Sequence, residues 1–116
     1  MSKNLNSSEI EKVIKNGRRF SSRSFLIFYR EIDLGRQGKV AFIAPKRLGN
    51  AVLRNRSKRL LRSAESEARK EANSDHIYDF FDIIYMANVF TKDRSADEIQ
   101  KELLKAYKKI ITFTKK

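Results

Sequence analysis

A long helical pattern between two short apolar segments is the feature that most limits how this chain can fold. Asn50 suits a helix N-cap, and helical periodicity then continues from Ala51 to about Ala72. A strand is predicted before this helix over residues 40–44, and another after it over residues 80–87. A helix between two strands permits a parallel βαβ crossover, which general statistics would make right-handed.

A capped helix is predicted near the N-terminus. Ser8 and Glu11 have the spacing of a capping box, and Gly17 is a typical C-terminal stop. We therefore expect a first helix over about residues 9–16.

Two strands are predicted directly after that helix. Residues 24–29 form an apolar run that is rich in β-formers, and residues 19–22 add a short strand beside it. Strand alternation places Leu26 and Phe28 on one face, opposite Phe25 and its alternating neighbours.

The order of predicted elements, α-β-β-β-α-β-α, is that of an α+β domain. Ser95 and Glu98 form a second capping box, which opens the final helix. A chain of 116 residues with 41% hydrophobic residues fits one domain with a modest core. We expect a single domain over residues 1–116, with residues 1–7 and 114–116 flexible.

Positive charge is concentrated in the first half of the chain, whose formal net charge is +12 overall. Residues 1–30 carry seven cations and two acids, residues 31–62 nine and two, and residues 63–116 ten of each. This imbalance predicts one basic surface and a polyanionic partner, either a nucleic acid or an acidic membrane surface.

The chain contains no cysteine, which excludes disulfides and thiolate chemistry. It has no apolar run near the roughly 20 residues that span a bilayer, and its N-terminus is polar. We expect a cytoplasmic protein without a membrane partner.

The long predicted helix carries an ordered row of cations. Seven of the seventeen residues from Lys46 to Arg62 are positively charged. A solvated charged face is the usual role of such residues, but acids are nearly absent before Glu65, and arginine pairs bidentately with phosphate. Helical spacing places Leu53, Leu60, Leu61, Ala64 and Ala68 on one face, and Arg54, Lys58, Arg59, Arg62 and Arg69 on the opposite arc. The pattern favours nucleic-acid binding.

The chain offers little for catalysis of its own. His76 is its one histidine and is predicted to be an ordinary loop residue, while Asp79 and Asp82 are predicted to be solvated strand-edge residues. There is no phosphate-binding loop, nucleophile elbow or zinc-ligand spacing. A stand-alone nuclease that uses these three residues is an alternative hypothesis.

The basic segment resembles the signature of the protein subunit of bacterial ribonuclease P. The matching residues run Lys46-Arg47-x-Gly49-Asn50-Ala51-Val52-x-Arg54-Asn55-Arg56-x-Lys58-Arg59-x-x-Arg62, and looser similarity extends over most of the chain. The resemblance implies a partner of a catalytic RNA that removes the 5′ leader from precursor tRNA. The Mg²⁺ ions would then be held mainly by the RNA. No obligate protein partner is expected. A structural, ribosomal-protein-like RNA-binding module is the alternative.

The resemblance also implies roles for particular residues. A leader cleft between the first helix and the sheet would be lined by Ile10, Ile14 and Phe28, with isoleucine where the family often has phenylalanine. No catalytic residue is implied in the protein, and metal-binding residues are left unassigned. The implied RNA-contacting residues are Lys46, Arg47, Asn50, Arg54, Asn55, Arg56, Lys58, Arg59 and Arg62.

The implied fold is an α+β sandwich with a left-handed βαβ crossover, similar to the ribosomal protein S5 domain 2-like fold. This handedness differs from the general expectation for such crossovers, and we follow the resemblance because its motif is more specific.

Overall fold

The computed structural model describes residues 4–33, 35–72 and 75–114. Over these residues the order of elements is α-β-β-β-α-β-α, as predicted. The helices are α1 (Ser7–Asn16), α2 (Ala51–Ala72) and α3 (Ala96–Thr114), and the strands are β1 (Arg18–Ser21), β2 (Phe25–Glu31), β3 (Val40–Ile43) and β4 (Phe81–Ala87).

The four strands form one mixed sheet in the order β1-β2-β4-β3. Strand β2 is antiparallel to both β1 and β4, whereas β3 is parallel to β4. Helix α2 therefore connects two neighbouring parallel strands, which confirms the predicted crossover. Its left-handedness stays a prediction.

The two faces of the sheet are covered by different helices. Phe25, Ile27 and Tyr29 point from β2 into the larger core, which also contains buried residues of α2 and α3. Phe28 instead packs on a smaller cluster that includes Val13 of α1. The predicted alternation is confirmed, and the domain has three layers, with α1, the sheet, and the α2–α3 pair in that order.

The start of α1 differs from the prediction, because the capping box is formed by Asn6 and Glu9. The Asn6 side chain accepts a hydrogen bond from the Glu9 amide at 2.9 Å, and Glu9 accepts one from the Asn6 amide at 3.0 Å. Leu5 is buried, and its amide donates to the carbonyl of Val40 at 3.0 Å. This contact with β3 fixes the chain just before Asn6, so part of the segment expected to be flexible packs on the sheet.

Gly17 ends α1 as predicted, but for a different physical reason. Its backbone is extended rather than left-handed, with φ −88° and ψ −175°. A Cβ atom at this position would lie 2.5 Å from the carbonyl oxygens of both Val13 and Tyr29. Glycine is required here because the chain passes so close to β2.

A hydrogen-bonded chain of polar groups crosses the larger core. The Tyr107 and Tyr85 hydroxyls lie 2.8 Å apart, the Tyr85 and Tyr78 hydroxyls 2.9 Å apart, and Tyr78 donates to Glu65 at 2.8 Å. Burial raises the pKa of each tyrosine well above its usual value, so the hydroxyls keep their protons. This series of hydrogen bonds joins α2, β4 and α3.

Glu102 of α3 ties the β1–β2 turn to the helical layer. Its carboxylate accepts hydrogen bonds from the Ser22 hydroxyl, from the Ser24 amide at 3.1 Å and from the Ser24 hydroxyl at 2.5 Å. Partial burial raises the pKa of Glu102, but the hydrogen bonds from Ser22 and Ser24 outweigh burial and hold that pKa below its ordinary value of 4.5.

We expect Glu102→Gln to lower the free energy of unfolding at pH 7 by about 1 kcal/mol, because charge-assisted hydrogen bonds are lost from a partly exposed group. Since the folded-state pKa of Glu102 is depressed, its contribution is present above the unfolded-state value and is lost as the pH falls through the folded-state value. Urea unfolding at a series of pH values measures this, and a difference between the proteins that stays constant down to pH 2 would contradict it.

Candidate nucleic-acid interface

The N-terminus of α2 is built as the sequence predicts. The Asn50 side chain accepts a hydrogen bond from the Leu53 amide at 3.0 Å, and Gly49 before it has a positive φ of 128°, which favours glycine. Lys46 and Arg47 lie in a short 3-10 turn just upstream, and both are exposed. Two cations therefore lie beside a helix N-terminus, whose dipole also attracts anions.

One flank of α2 carries Arg54, Lys58 and Arg62 at successive turns. The Arg54 Nε donates to the carbonyl of Ala44 at 3.0 Å, and the Arg62 guanidinium lies 5.5 Å from the ring centre of Phe42. Arg54 is half-buried, so it borders the packed face rather than lying on the opposite arc. These contacts place the flank along the β3 edge of the sheet and hold two of its cations in position.

The outer surface of α2 is more open. Asn55, Arg56 and Arg59 are exposed, and Val52 beside them is 75% exposed. Within the part of the chain that the structure describes, the cations of this helix before Glu65 form no ion pair with a carboxylate. Their charge is therefore available to a ligand.

Arg69 does not belong to this open surface, which corrects the prediction from helical spacing. It forms an ion pair with Glu65 and lies 5.8 Å from the ring centre of Tyr78. Glu65 is the first acid that follows these cations along α2. It is also held in the core, because its carboxylate accepts a hydrogen bond from the Tyr78 hydroxyl.

The α1 face of the sheet brings together two of the three predicted cleft residues. Ile10 and Phe28 are partly buried and pack on the same apolar cluster, whereas Ile14 is 38% exposed, one turn further along α1. Ile43 joins this surface, and Arg19 lies opposite Phe28 in the β1–β2 register. Neither residue was predicted to lie here. The alternation of side chains along β3 could have indicated Ile43, and the position of a cation at the start of β1 could have indicated Arg19.

The structure describes the side chains of two of the three residues proposed for a stand-alone nuclease, Asp79 and Asp82. Asp82 is 1% exposed rather than solvated, since it accepts two hydrogen bonds from Arg36, at 2.7 and 3.0 Å, and one from the Lys39 amide at 2.8 Å. The hydrogen bonds to Asp82 raise the pKa of Arg36. Asp79 is exposed, and the side chain of His76 lies outside the described part of the structure.

Metal-ligand residues are scattered over the described part of the chain. No three His, Cys, Asp or Glu side chains in the described ranges come together as a candidate metal site. Asp82 would be the most enclosed ligand, but its oxygens are occupied by Arg36 and Lys39. The described residues therefore supply no set of three protein ligands for a metal ion.

Every helix within the described residues is too short or too polar to cross a bilayer.

Fold and surface together define a small basic α+β domain of the nucleic-acid-binding class. The family model described as Ribonuclease P matches residues 3–111. The chain belongs to the ribonuclease P protein component family, whose members are part of a tRNA-processing endoribonuclease.

Curated relatives and solved structures agree with this assignment. The chain is 33% identical to the ribonuclease P protein component of Oceanobacillus iheyensis over 82% of this chain and 74% of that protein. It is 31% identical to that of Syntrophomonas wolfei, over 94% and 87%. The Staphylococcus aureus RNase P protein superposes with a TM-score of 0.71 at 29% identity, covering 96% of this chain and 95% of that one. The Thermotoga maritima RNase P protein shares the fold, with a TM-score of 0.70 at 19% identity and coverage of 92% and 96%.

Truncation of Arg54, on the flank of α2 next to β3, should affect stability more than truncation of Arg59 on the outer surface of the helix. We expect Arg54→Ala to lower the free energy of unfolding by about 1 kcal/mol, because its hydrogen bond to Ala44 is lost. Arg59→Ala should change it by less than about 0.5 kcal/mol, because this side chain is exposed. Thermal and urea unfolding of both variants test this, and equal losses of stability would contradict it.

Proposed function

We propose that this chain binds the catalytic RNA subunit of ribonuclease P through α2 and the preceding turn. The observation that carries the proposal is the run of unneutralised cations from Lys46 to Arg62 on a helix that is fixed to the sheet. A row of cations along a rigid helix, rich in arginine and without carboxylate partners among the described residues, suits the phosphates of a folded RNA. The contacting residues would be Lys46, Arg47, Asn50, Arg54, Asn55, Arg56, Lys58, Arg59 and Arg62.

The 5′ leader of precursor tRNA is the second ligand in this proposal. It would lie on the α1 face, where Ile10, Ile14 and Phe28 surround a partly open apolar surface. Phe28 is the aromatic residue among them, so it would stack on an unpaired base while the isoleucines make apolar contacts. Arg19 beside Phe28 would pair with a leader phosphate.

Bond cleavage belongs to the RNA subunit in this proposal. The RNA would hold the catalytic Mg²⁺ ions, and the protein would help it to bind substrate and metal in the cytoplasm. The protein's own carboxylates support this division, because Asp82 and Glu65 are engaged by Arg36 and by Arg69 and Tyr78.

Reconstitution tests the proposal directly. We expect the purified chain, added to a matching catalytic RNA, to raise the rate of leader removal from precursor tRNA at low Mg²⁺. Arg59→Ala should weaken RNA-subunit binding and reduce the slope of log affinity against log salt by about 0.9 or less. Unchanged cleavage at low Mg²⁺ with RNA binding retained would instead favour a structural RNA-binding module.

A separate prediction concerns the leader surface. We expect Phe28→Ala to weaken the holoenzyme's affinity for precursor tRNA by about 1–3 kcal/mol, the range measured for base–aromatic stacking. Affinity for tRNA that lacks a leader should not change. Phe90→Ala is the matched control, because it truncates an exposed phenylalanine in the turn after β4. A large loss of melting temperature with normal leader affinity would place Phe28 in the core alone.

A further inference from the structure

The C-terminal part of the chain, residues 63–116, has no net formal charge. Several of its acids are engaged internally, since Glu65 bonds to Tyr78, Asp82 accepts from Arg36, and Glu102 is held by two serines. The lysines of α3, in contrast, are exposed to solvent. Those exposed on the outer surface of α3 are Lys101, Lys105, Lys108 and Lys109.

Two of these lysines, Lys101 and Lys105, line a groove between α3 and the β1–β2 turn. The groove has a volume of about 390 Å³ and is open to solvent along the helix. Its lining residues are Phe20, Ser22, Arg23, Arg94, Glu98, Lys101, Glu102 and Lys105.

The acids in this groove already have partners. Glu98 accepts from the Ser95 amide at 3.0 Å and pairs with Arg94 at 3.3 Å, while Glu102 faces the serines. Among the described residues, no carboxylate pairs with Arg23, Lys101 or Lys105. Three of the four cations that line the groove therefore form no ion pair, and with both acids ionised the lining keeps a formal net charge of +2.

An aromatic ring lies beside these cations. Phe20 of β1 is partly buried against the core, and the Lys109 ammonium lies 5.7 Å from its ring centre. Cations along a groove beside an aromatic ring match a nucleic-acid strand, whose phosphates take the charge while a base or sugar covers the ring.

The groove lies at the opposite edge of the domain from the Arg54–Arg62 flank. The strand order places β1 and β3 at the two edges of the sheet, and α2 and α3 pack side by side above it. Arg54 and Arg62 contact the β3 side, whereas Glu102 and Lys109 contact the β1 side. The leader surface lies on the other face of the sheet, under α1.

We propose that the groove between α3 and β1 binds the phosphodiester backbone of a second segment of the RNA subunit, so that the helical layer holds this RNA at both edges. This inference rests on the proposed function. The RNA subunit is chosen over precursor tRNA because α3 shares its layer with α2, the helix assigned to that RNA, and not with the α1 face.

The first test is a charge-matched comparison. Lys101→Ala/Lys105→Ala removes two groove cations, and Lys70→Ala/Lys92→Ala removes two lysines that pair with Glu67 and Asp93 elsewhere. Near physiological salt we expect the groove variant to bind the RNA subunit about 10- to 30-fold more weakly, with a salt slope smaller by about 1 to 2. The control should stay close to the unmodified protein. Equal affinities and slopes for the two double variants would overturn the inference.

A second test locates the RNA, using the absence of cysteine from the chain. A hydroxyl-radical-generating iron chelate is attached to Lys105→Cys, to Ser63→Cys on the outer surface of α2, and to Lys92→Cys as a control. In the assembled holoenzyme, position 105 should cleave a segment of the RNA subunit that position 63 does not cleave. Cleavage from position 105 only in precursor tRNA, or none above the position 92 control, would overturn the assignment.

The two proposals fail in different ways. If the unmodified protein has no affinity for the RNA subunit, the proposed function itself is wrong. If Arg59→Ala weakens binding while the groove variant matches its control, the α2 interface stands and only the second segment is wrong.

Discussion

A chain of four hydrogen-bonded groups through the core fixes the relative positions of the helices that carry the cations. Glu65 belongs to α2, Tyr85 to the central strand β4, and Tyr107 to α3, with Tyr78 bridging the first two. Removal of one member would leave its buried neighbours without partners, at a cost of about 1–3 kcal/mol each. Such a network favours one rotation of α2 about its axis, and that rotation decides which side chains reach solvent.

The sequence predicts the elements well where the signal is local. The limits of α2, the Asn50 cap and the Ser95–Glu98 capping box depend on residues within one helical turn, and the structure contains them as predicted. The predicted start of α1 was wrong, because Asn6 and Ser8 both have a glutamate three residues later and so both fit a capping box. The choice between them depends on the contact of Leu5 with β3, which no local pattern reveals.

The candidate site divides in the same way. The identities of its cations follow from the spacing in α2, but their environments depend on distant residues. Arg54 bonds to the backbone of Ala44 just after β3, and Arg69 lies against the ring of Tyr78 in the segment before β4. Asp82 is buried because Arg36, 46 residues earlier, folds over it. Pairings over such sequence separations are set by the sheet topology, which periodicity alone does not contain.

The contrast between anchored and unanchored arginines on α2 has a consequence for selectivity. Immobilising a long side chain on association costs about 0.5–1.5 kcal/mol. The contacts of Arg54 with Ala44 and of Arg62 with Phe42 reduce this cost, because they already restrict both side chains in the free protein. In the proposed complex these two side chains would favour RNA shapes whose phosphates lie at matching positions. Arg56 and Arg59 are exposed and would adapt to local variation in the bound RNA, so that one helix would combine shape discrimination with tolerance of sequence.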